Sequence, residues 1–389
     1  MFERLDDSPE DALHAVMARY QADHRTDKID LGVGVYREAN GKSPIMRCVA
    51  EAQQSLMELE SSKAYIGLRG DERFLGGMSE LLLGASAKQQ IASIQSVGGT
   101  GGIRLALELA RSINSNLSVI VGTPSWPNHF GICDELGIRC QRFNYYDRNK
   151  QAANIEQCYA ALQLAKAGDI FVLHGPCHNP TGTDLPSADL FALIRAAGEK
   201  GVVPLIDAAY YGLGNDLDDD LSQLRQYLEL APEVLLVMSC SKAFGLYRER
   251  TGVLFVGCSG VTEARRAQSK LEILARANYS MPPSHGAAVA GLILENPALS
   301  LSWREELAAM RQRIMDLRQE LAAGSSIYPA LAAVPHQKGI FSLLPLSSEQ
   351  VNVLARQEGI YLAESGRINI AGFKSGDIER FFSALARVQ

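Results

Sequence analysis

Short apolar runs alternate with longer amphipathic patterns between residues 94 and 258. The runs predict β-strands at Ser93–Val97, Ser118–Val121, Asp169–Leu173, Val202–Ile206, Val234–Met238 and Gly252–Val256. Such alternation of strands and helices is typical of a mostly parallel sheet covered by helices on its faces. The pattern therefore predicts an α/β fold with this sheet at its centre.

The first strongly periodic helix is predicted directly after the glycine-rich turn at residues 98–102. A helix that begins after a strand presents unpaired backbone N–H groups and is a ready site for an anion. The turn does not match the dinucleotide motif G-x-G-x-x-G, because Arg104 stands where the third glycine would fall if Gly99 and Gly101 were the first two. The turn thus predicts an anion site and argues against a dinucleotide site.

The C-terminal third has a different pattern. It predicts a long amphipathic helix over Trp303–Leu321, a strand over Gly339–Leu344 and a last helix from about Ser375. This arrangement indicates a second, smaller α+β unit. Residues 1–44 are too few for a domain, so we expect them to pack on that unit. The predicted domains are a large domain, 45–305, and a small domain formed by 1–44 and 306–389.

Composition narrows the kind of protein. The chain has 389 residues, of which 47% are hydrophobic and 21% charged, as in soluble globular proteins. A net charge of −6, with acids and bases interspersed, argues against a nucleic-acid or anionic-membrane partner. The longest uncharged run, 277–294, contains Pro282 and Pro283 and makes a poor membrane span. The chain has seven cysteines and no C-x-x-C pair, which predicts a cytoplasmic protein. Its N-terminal segment is acidic, which predicts that it is not a secretory signal.

Polar residues follow the central strands where a site is expected. Asp207 ends the run Val202–Ile206, and Lys242 follows Val234–Met238. Since the carboxyl ends of parallel strands meet at one edge of a sheet, both side chains should lie there. Taken singly, an aspartate in this place is a candidate helix cap and the lysine a candidate surface residue. Together they suit a pyridoxal-phosphate enzyme, which needs a lysine for the cofactor aldehyde and a carboxylate for the pyridine nitrogen.

Asn179 and Tyr210 stand at neighbouring strand ends and are candidates for hydrogen bonds to the phenolic oxygen of such a cofactor. His174, Cys177 and His178 are metal ligands by residue type, but they lie beside the turn Asn179-Pro180-Thr181-Gly182. We therefore predict turn and core roles for these three residues, and no metal site.

Nine segments, in the same order, resemble the class I, fold type I aminotransferases of the aspartate and aromatic amino acid subgroup, over essentially the full length. The segments are 31–36, Tyr65-x-Gly67, 98–101, 124–129, 177–182, 207–210, 239–250, 276–280 and 365–367. The resemblance implies a fold type I transferase dependent on pyridoxal phosphate, active on amino acids and 2-oxo acids. It also implies a homodimer in which each active site is shared across the interface.

The same resemblance implies roles for individual residues. Lys242 would be the aldimine lysine and proton shuttle, assisted by the catalytic residues Asp207 and Tyr210, with His129 behind Asp207. The implied cofactor-binding residues are Gly99, Thr100, Trp126, Asn179, Asp207, Tyr210, Ser239, Ser241, Lys242 and Arg250, with Tyr65 reaching the phosphate from the partner subunit. The implied substrate-binding residues are Gly34, Trp126, Asn179, Arg276 and Arg367. Among them, Arg367 would bind the α-carboxylate, and Arg276 of the neighbouring subunit the distal carboxylate.

Two positions bear on the substrate. Ala64 and Met281 stand where asparagine is usual in aspartate-specific members, and losing two amides favours an aromatic side chain. Thr100 and Val35, in contrast, are the residues of aspartate-specific members. We predict ping-pong transamination of phenylalanine and tyrosine, with tryptophan a further candidate, using 2-oxoglutarate and also accepting aspartate.

Three alternatives stay open. One is an aspartate aminotransferase. A remote second is a non-catalytic cofactor-binding protein such as the aminotransferase-like transcription regulators, although about 44 residues before the large domain are too few for their DNA-binding domain. The third is β-elimination or decarboxylation with the same cofactor. Arg276 and Arg367, which are predicted to bind the two carboxylates of a substrate, favour transamination over β-elimination or decarboxylation.

Overall fold

A computed structural model describes residues 2–5, 12–84 and 90–388. Residues 1, 6–11 and 389, which belong to the predicted small domain, lie outside the described residues, as do residues 85–89. The helices are α1 Ala12–Ala22, α2 Arg47–Leu59, α3 Glu72–Leu83, α4 Gly98–Ile113, α5 Asn128–Glu135, α6 Ile155–Leu164, α7 Ser187–Glu199, α8 Leu217–Leu230, α9 Cys240–Ala243, α10 Val261–Asn278, α11 His285–Glu295, α12 Pro297–Ala322, α13 Ser348–Val353 and α14 Asp377–Arg387. The strands are β1 Ile29–Asp30, β2 Ile91–Val97, β3 Ser118–Thr123, β4 Arg139–Asn144, β5 Tyr146–Asp147, β6 Ala152–Ala153, β7 Ile170–His174, β8 Val203–Ala208, β9 Val234–Ser239, β10 Thr251–Gly257, β11 Phe341–Leu343, β12 Ile360–Tyr361 and β13 Arg367–Asn369.

A seven-stranded sheet in the order β2-β10-β9-β8-β7-β3-β4 forms the centre of the larger unit. The neighbours from β9 to β4 pair in parallel, whereas β10 is antiparallel to both β9 and β2. All six predicted strands belong to this sheet, which confirms the predicted α/β class. The sequence pattern missed β4, because this edge strand is polar and none of its side chains is fully buried.

Helix α4 shows how the sheet is covered. Its apolar side chains Ile103, Leu105 and Leu109 are buried in one cluster with Val237 of β9. Gly102 faces the same strand, where an added Cβ would lie only 2.7 Å from Cγ1 of Val237. The missing side chain therefore lets the helix approach the sheet closely. This contact fixes the first turn of α4 beside the end of β9.

Contacts between Cα atoms divide the chain into two compact units. The larger contains residues 44–313 and 337–339, and the smaller contains 1–43, 314–336 and 340–389. The division falls inside α12, which runs from Pro297 to Ala322, eight residues after the predicted boundary at 305. The identity of these units as folding domains stays a prediction.

The smaller unit contains two short sheets, in which β1 pairs in parallel with β12 and β11 pairs antiparallel with β13. Arg318 lies at its centre and is only 2% exposed. Its guanidinium donates hydrogen bonds to the carbonyl oxygens of Val334 and Phe341, at 3.0 and 2.7 Å, and to Oγ of Ser342 at 2.9 Å. A buried cation needs such partners, and here they join α12 to the strand β11.

Candidate active site

A cavity of about 120 Å³ lies at the carboxyl edge of the parallel strands in the larger unit. Its lining residues are Gly99, Thr100, Trp126, Asn179, Asp207, Ala209, Tyr210, Ser239, Ser241, Lys242 and Arg250. Ten of these eleven were predicted as site residues, and the structure brings them together. Ala209 was missed as a site residue, although it lies inside the matched segment 207–210.

Chain topology explains why residues so distant in sequence meet. Strands β2, β3, β7, β8 and β9 all end at this edge, and the segments that follow them line the cavity. Strand β10 runs in the opposite direction and begins here at Thr251, so that the preceding residue Arg250 reaches the same edge. Ligands of open α/β sheets bind at the carboxyl edge because the segments that follow several strands meet there.

One end of the cavity is built to hold an anion. Helix α4 begins at Gly98 after Val97, whose side chain makes no capping hydrogen bond, so the first backbone N–H groups of the helix have no side-chain cap. The hydroxyl groups of Ser239 and Ser241 lie 3.1 Å apart, and Nη1 of Arg250 lies 3.5 Å from Oγ of Ser241. Together these groups offer a positive helix end, a guanidinium and two hydroxyls, which are the donors that a phosphate needs.

Gly98 lets the helix end and the guanidinium meet. It has a φ of +63°, and a Cβ atom there would lie 2.5 Å from Nη2 of Arg250. Its backbone N–H donates to the carbonyl oxygen of Arg250 at 2.8 Å. A side chain at this position would therefore push away the arginine that the anion site requires.

Asp207 lines the same cavity and is buried, with 7% of its surface exposed. Burial alone would raise its pKa, but the hydrogen bond from His129 and the charge of Lys242 lower the pKa below its ordinary value. The carboxylate is therefore ionised at neutral pH. Because an ionised carboxylate only accepts hydrogen bonds, Nε2 of His129, 3.1 Å from Oδ2, must be the donor.

Further side chains fix His129 and so the orientation of Asp207. Oγ of Ser125 lies 2.9 Å from Nδ1 of His129 and 3.0 Å from Nε2 of His174. Trp126 packs against the His129 ring edge to face, with ring centres 5.3 Å apart, and its own half-buried ring lines the cavity. The predicted place of His129 behind Asp207 agrees with these contacts.

Lys242 lies on the short helix α9, and its Nζ atom is 4.9 Å from the centre of the Tyr210 ring. Nδ2 of Asn179 lies 3.5 Å from the Tyr210 hydroxyl. The chain after Lys242 is held by Trp303, which is fully buried and donates a 2.7 Å hydrogen bond from Nε1 to the carbonyl oxygen of Ala243. An amine, a phenol and an amide thus surround one side of the cavity.

The three histidines near the site pack against each other. The rings of His174 and His178 lie 4.0 Å apart, and His178 also stacks on Tyr145 at 4.3 Å. Burial lowers the pKa of His174 well below its ordinary value and that of His178 to about 3, so both are neutral. Within residues 2–5, 12–84 and 90–388, no three histidine, cysteine, aspartate or glutamate side chains are arranged so that they could hold a metal ion.

Several predicted residues do not line this cavity. Tyr65 is 90% exposed, and Arg276 lies exposed near the end of α10. Ala64 is exposed as well, and Met281 is half-buried. For Tyr65 and Arg276, the predicted roles require a second subunit and stay predictions.

Arg367 and Gly34 belong to the smaller unit. Nη2 of Arg367 donates to the carbonyl oxygen of Gly32 at 2.9 Å, and the guanidinium carbon lies 4.2 Å from the centre of the Phe341 ring. A Cβ atom at Gly34 would lie 2.6 Å from Cζ of the same ring. Glycine is therefore needed at position 34 for the segment to pass beside Phe341.

The fold and the site define a class of enzyme, and comparison with known proteins identifies it. The family model "Aminotransferase class I and II" matches residues 26–385. The chain therefore belongs to this family of pyridoxal-phosphate-dependent aminotransferases, whose substrates are amino acids and oxo acids.

Relatives narrow the comparison further. A tyrosine aminotransferase of Rhizobium meliloti (strain 1021) is 43% identical over 97% of each chain. An aspartate aminotransferase of Escherichia coli (strain K12) is 36% identical over the full length of both chains. The crystal structure of an aromatic-amino-acid aminotransferase from Burkholderia pseudomallei, covalently bound to pyridoxal phosphate, is 33% identical with a TM-score of 0.96, over 100% of this chain and 99% of that one.

The residues of the cavity fit pyridoxal phosphate. The helix end with Ser239, Ser241 and Arg250 suits its phosphate, the ionised Asp207 suits a protonated pyridine nitrogen, and Lys242 suits its aldehyde.

None of the helices in the described part of the chain is long and apolar enough to cross a bilayer.

Proposed function

We propose that this enzyme transfers the amino group of phenylalanine and tyrosine, and as a further candidate of tryptophan, to 2-oxoglutarate, and that it also accepts aspartate. The observation that supports the transfer chemistry is the ionised, buried Asp207 in one cavity with Lys242. The aromatic preference is supported by Ala64 and Met281, which replace two amides, and by the 43% identity with a tyrosine aminotransferase.

Bound pyridoxal phosphate supplies a ring that withdraws electrons from the substrate Cα. Asp207 holds a proton at the pyridine nitrogen, because its ionised carboxylate favours the positive charge there. Lys242 would move the proton from Cα with its Nζ atom, which becomes free for this role once the substrate amine has replaced it on the cofactor aldehyde, since general acid and base catalysis requires such a group within reach of the reacting carbon. Asn179 and Tyr210 donate hydrogen bonds to the phenolic oxygen.

Substrate binding is assigned to two arginines. Arg367, steadied by the carbonyl oxygen of Gly32 and by the Phe341 ring, binds the α-carboxylate shared by all substrates. Arg276 of a second subunit binds the distal carboxylate of aspartate, glutamate or 2-oxoglutarate. Tyr65 of that subunit binds the cofactor phosphate. The protein is accordingly proposed to be a homodimer with shared active sites. A cytoplasmic location is proposed from its seven cysteines without a C-x-x-C pair.

The exposed apolar side chains of one region agree with a dimer. Ile45, Met57, Leu59 and Tyr65 are between 61% and 90% exposed and lie within 21 consecutive residues. Several large apolar side chains exposed in one short segment support a surface that a partner covers. A mixture of Tyr65→Phe and Lys242→Ala subunits tests the sharing of sites, because one site of each heterodimer would regain both groups. Verified heterodimers with no regained activity would refute it.

The aspartate aminotransferase alternative is favoured by Thr100 and Val35, and by the 36% identity with an aspartate enzyme. The two functions are separated by kcat/KM for phenylalanine, tyrosine and aspartate with 2-oxoglutarate as acceptor. Aromatic values equal to or above that of aspartate support the proposal. Aspartate values higher by more than about a hundredfold, or roughly 2.7 kcal/mol of transition-state discrimination, would refute it.

A further inference from the structure

Asp220 is a buried carboxylate that lies outside the catalytic cavity. It belongs to the first turn of α8 and is 1% exposed. Its Oδ2 atom accepts hydrogen bonds from the backbone N–H groups of Gly212 at 2.8 Å and Gly214 at 3.0 Å, and Oδ1 accepts from that of Asn215 at 3.3 Å. The carboxylate thus binds three N–H groups of one loop, and this loop begins directly after Tyr210.

The loop is shaped around this carboxylate. Gly212 has a φ of +83°, and a Cβ atom at Gly214 would lie 2.4 Å from Oδ1 of Asp220. The N–H group of Leu213 donates back to the carbonyl oxygen of Tyr210 at 3.1 Å. The backbone of Tyr210 is therefore connected to Asp220 through the turn that follows it.

Asp184 makes the same kind of contact with a second loop. Its Oδ2 atom accepts from the N–H of Cys177 at 3.0 Å, and Oδ1 accepts from the N–H of His178 at 2.7 Å. These two residues directly precede Asn179. Cys177 has a φ of +72°, a conformation that costs a residue other than glycine about 1–3 kcal/mol and persists only where its surroundings hold it.

The two loops contact each other. Sγ of Cys177 lies 3.8 Å from the carbonyl oxygen of Tyr210, and the side chains of Asn179 and Tyr210 are 3.5 Å apart. Burial raises the pKa of Asp220 to about 7, and the charge of Asp184 acts in the same direction. The fold therefore keeps a carboxylate where its charge is costly, next to the loop of a catalytic tyrosine.

We infer that Asp184 and Asp220 are positioning residues that hold the Asn179 and Tyr210 loops, and so set the hydrogen bonds made to the phenolic oxygen of the cofactor. This inference rests on the proposed roles of Asn179 and Tyr210. A carboxylate suits the task because its two oxygens accept several N–H groups at once. An asparagine offers a single oxygen, so that an N–H donor of the loop would face an NH₂ group.

The test uses the purified holoenzyme and the pH at which the absorbance of the bound cofactor changes, because donors to the phenolic oxygen control this titration. Asp220→Asn and Asp184→Asn are each expected to shift its midpoint by about half a pH unit or more, and to lower kcat more than they change KM. Asp218→Asn is the matched control, because this neighbouring aspartate is 80% exposed and forms an ion pair with Arg304 on the surface. It should leave the midpoint unchanged.

A double-mutant cycle separates this inference from the proposed function. Tyr210→Phe alone must move the midpoint; if it does not, the proposed role of Tyr210 fails. If Tyr210→Phe moves the midpoint while Asp184→Asn and Asp220→Asn leave it unchanged, only the inference fails. This holds even if the two asparagine variants have a lower Tm. If the inference holds, Asp220→Asn adds less shift in the Tyr210→Phe background than in the wild type. Should Asp220→Asn not yield holoenzyme, the half-buried Asp184 provides the same test.

Discussion

Asp207→Asn removes the charge that the account places beside the pyridine nitrogen while it keeps the size and shape of the side chain. The pair with His129 survives in part, because the amide oxygen still accepts the hydrogen bond that Nε2 donates across 3.1 Å. We therefore expect the variant to fold and to bind the cofactor. What it loses is the negative charge opposite the protonated ring nitrogen.

The size of the loss follows from the burial of the site. Two opposite unit charges about 4 Å apart attract by about 4 kcal/mol at an effective dielectric constant of ~20. If that attraction acts on the charge that the ring must hold when Cα loses its proton, kcat falls by roughly a thousandfold. The ionised state of Asp207 makes the estimate applicable at neutral pH, since its pKa lies below the ordinary value.

The assay is single-turnover absorbance of the holoenzyme with phenylalanine, with circular dichroism to verify the fold. Asp207→Glu is the matched control, because it keeps the charge and should retain more activity than the asparagine variant. An Asp207→Asn enzyme within tenfold of the wild-type rate would refute the proposed role of this carboxylate.

Three further predictions follow from the same account. Lys242→Ala is expected to abolish turnover together with the absorbance of covalently held cofactor, and catalysis by the pure variant would contradict the assignment of this lysine. Arg276→Leu should lower kcat/KM for aspartate and glutamate by a hundredfold or more, since it removes the proposed guanidinium partner of their distal carboxylate, and should spare phenylalanine half-reactions. Equal losses for both classes would mean that Arg276 does not bind the distal carboxylate. Trp303→Phe leaves the carbonyl oxygen of Ala243 without its 2.7 Å hydrogen bond. It should lower the free energy of unfolding, measured by urea titration, by about 1–3 kcal/mol. An unchanged free energy of unfolding would show that this bond does not stabilise the fold.

The central sheet was predictable because its strands are signalled locally. Each buried strand is a short apolar run, and the residues directly after the runs, such as Asp207 and Lys242, meet at one edge as a consequence of parallel topology. The edge strand β4 was not predictable in the same way, since its side chains are mostly polar and partly exposed. The start of α12 was missed for a related reason, because its first turns contain few charges and lack the amphipathic pattern found later in the helix.

The supporting residues of the site could not be found from the sequence. Asp216, Asp218 and Asp220 belong to one acidic stretch that resembles an ordinary helix start. In the structure Asp216 caps α8 by accepting from the N–H of Asp219 at 2.7 Å, Asp218 pairs with Arg304 on the surface, and Asp220 is buried under the Tyr210 loop. Only the tertiary fold assigns these three different roles. The contact of Ser125 with His174 likewise joins residues 49 positions apart.

The most direct test of the central claim is a half-reaction without acceptor. Holoenzyme is mixed with phenylalanine alone, and the phenylpyruvate formed, the ammonia released and the absorbance of the cofactor are measured together. The account predicts phenylpyruvate in an amount equal to the bound cofactor, no ammonia, and a spectrum that returns to its starting form when 2-oxoglutarate is added and glutamate appears. Release of ammonia, or no phenylpyruvate while aspartate reacts, would contradict an aromatic aminotransferase.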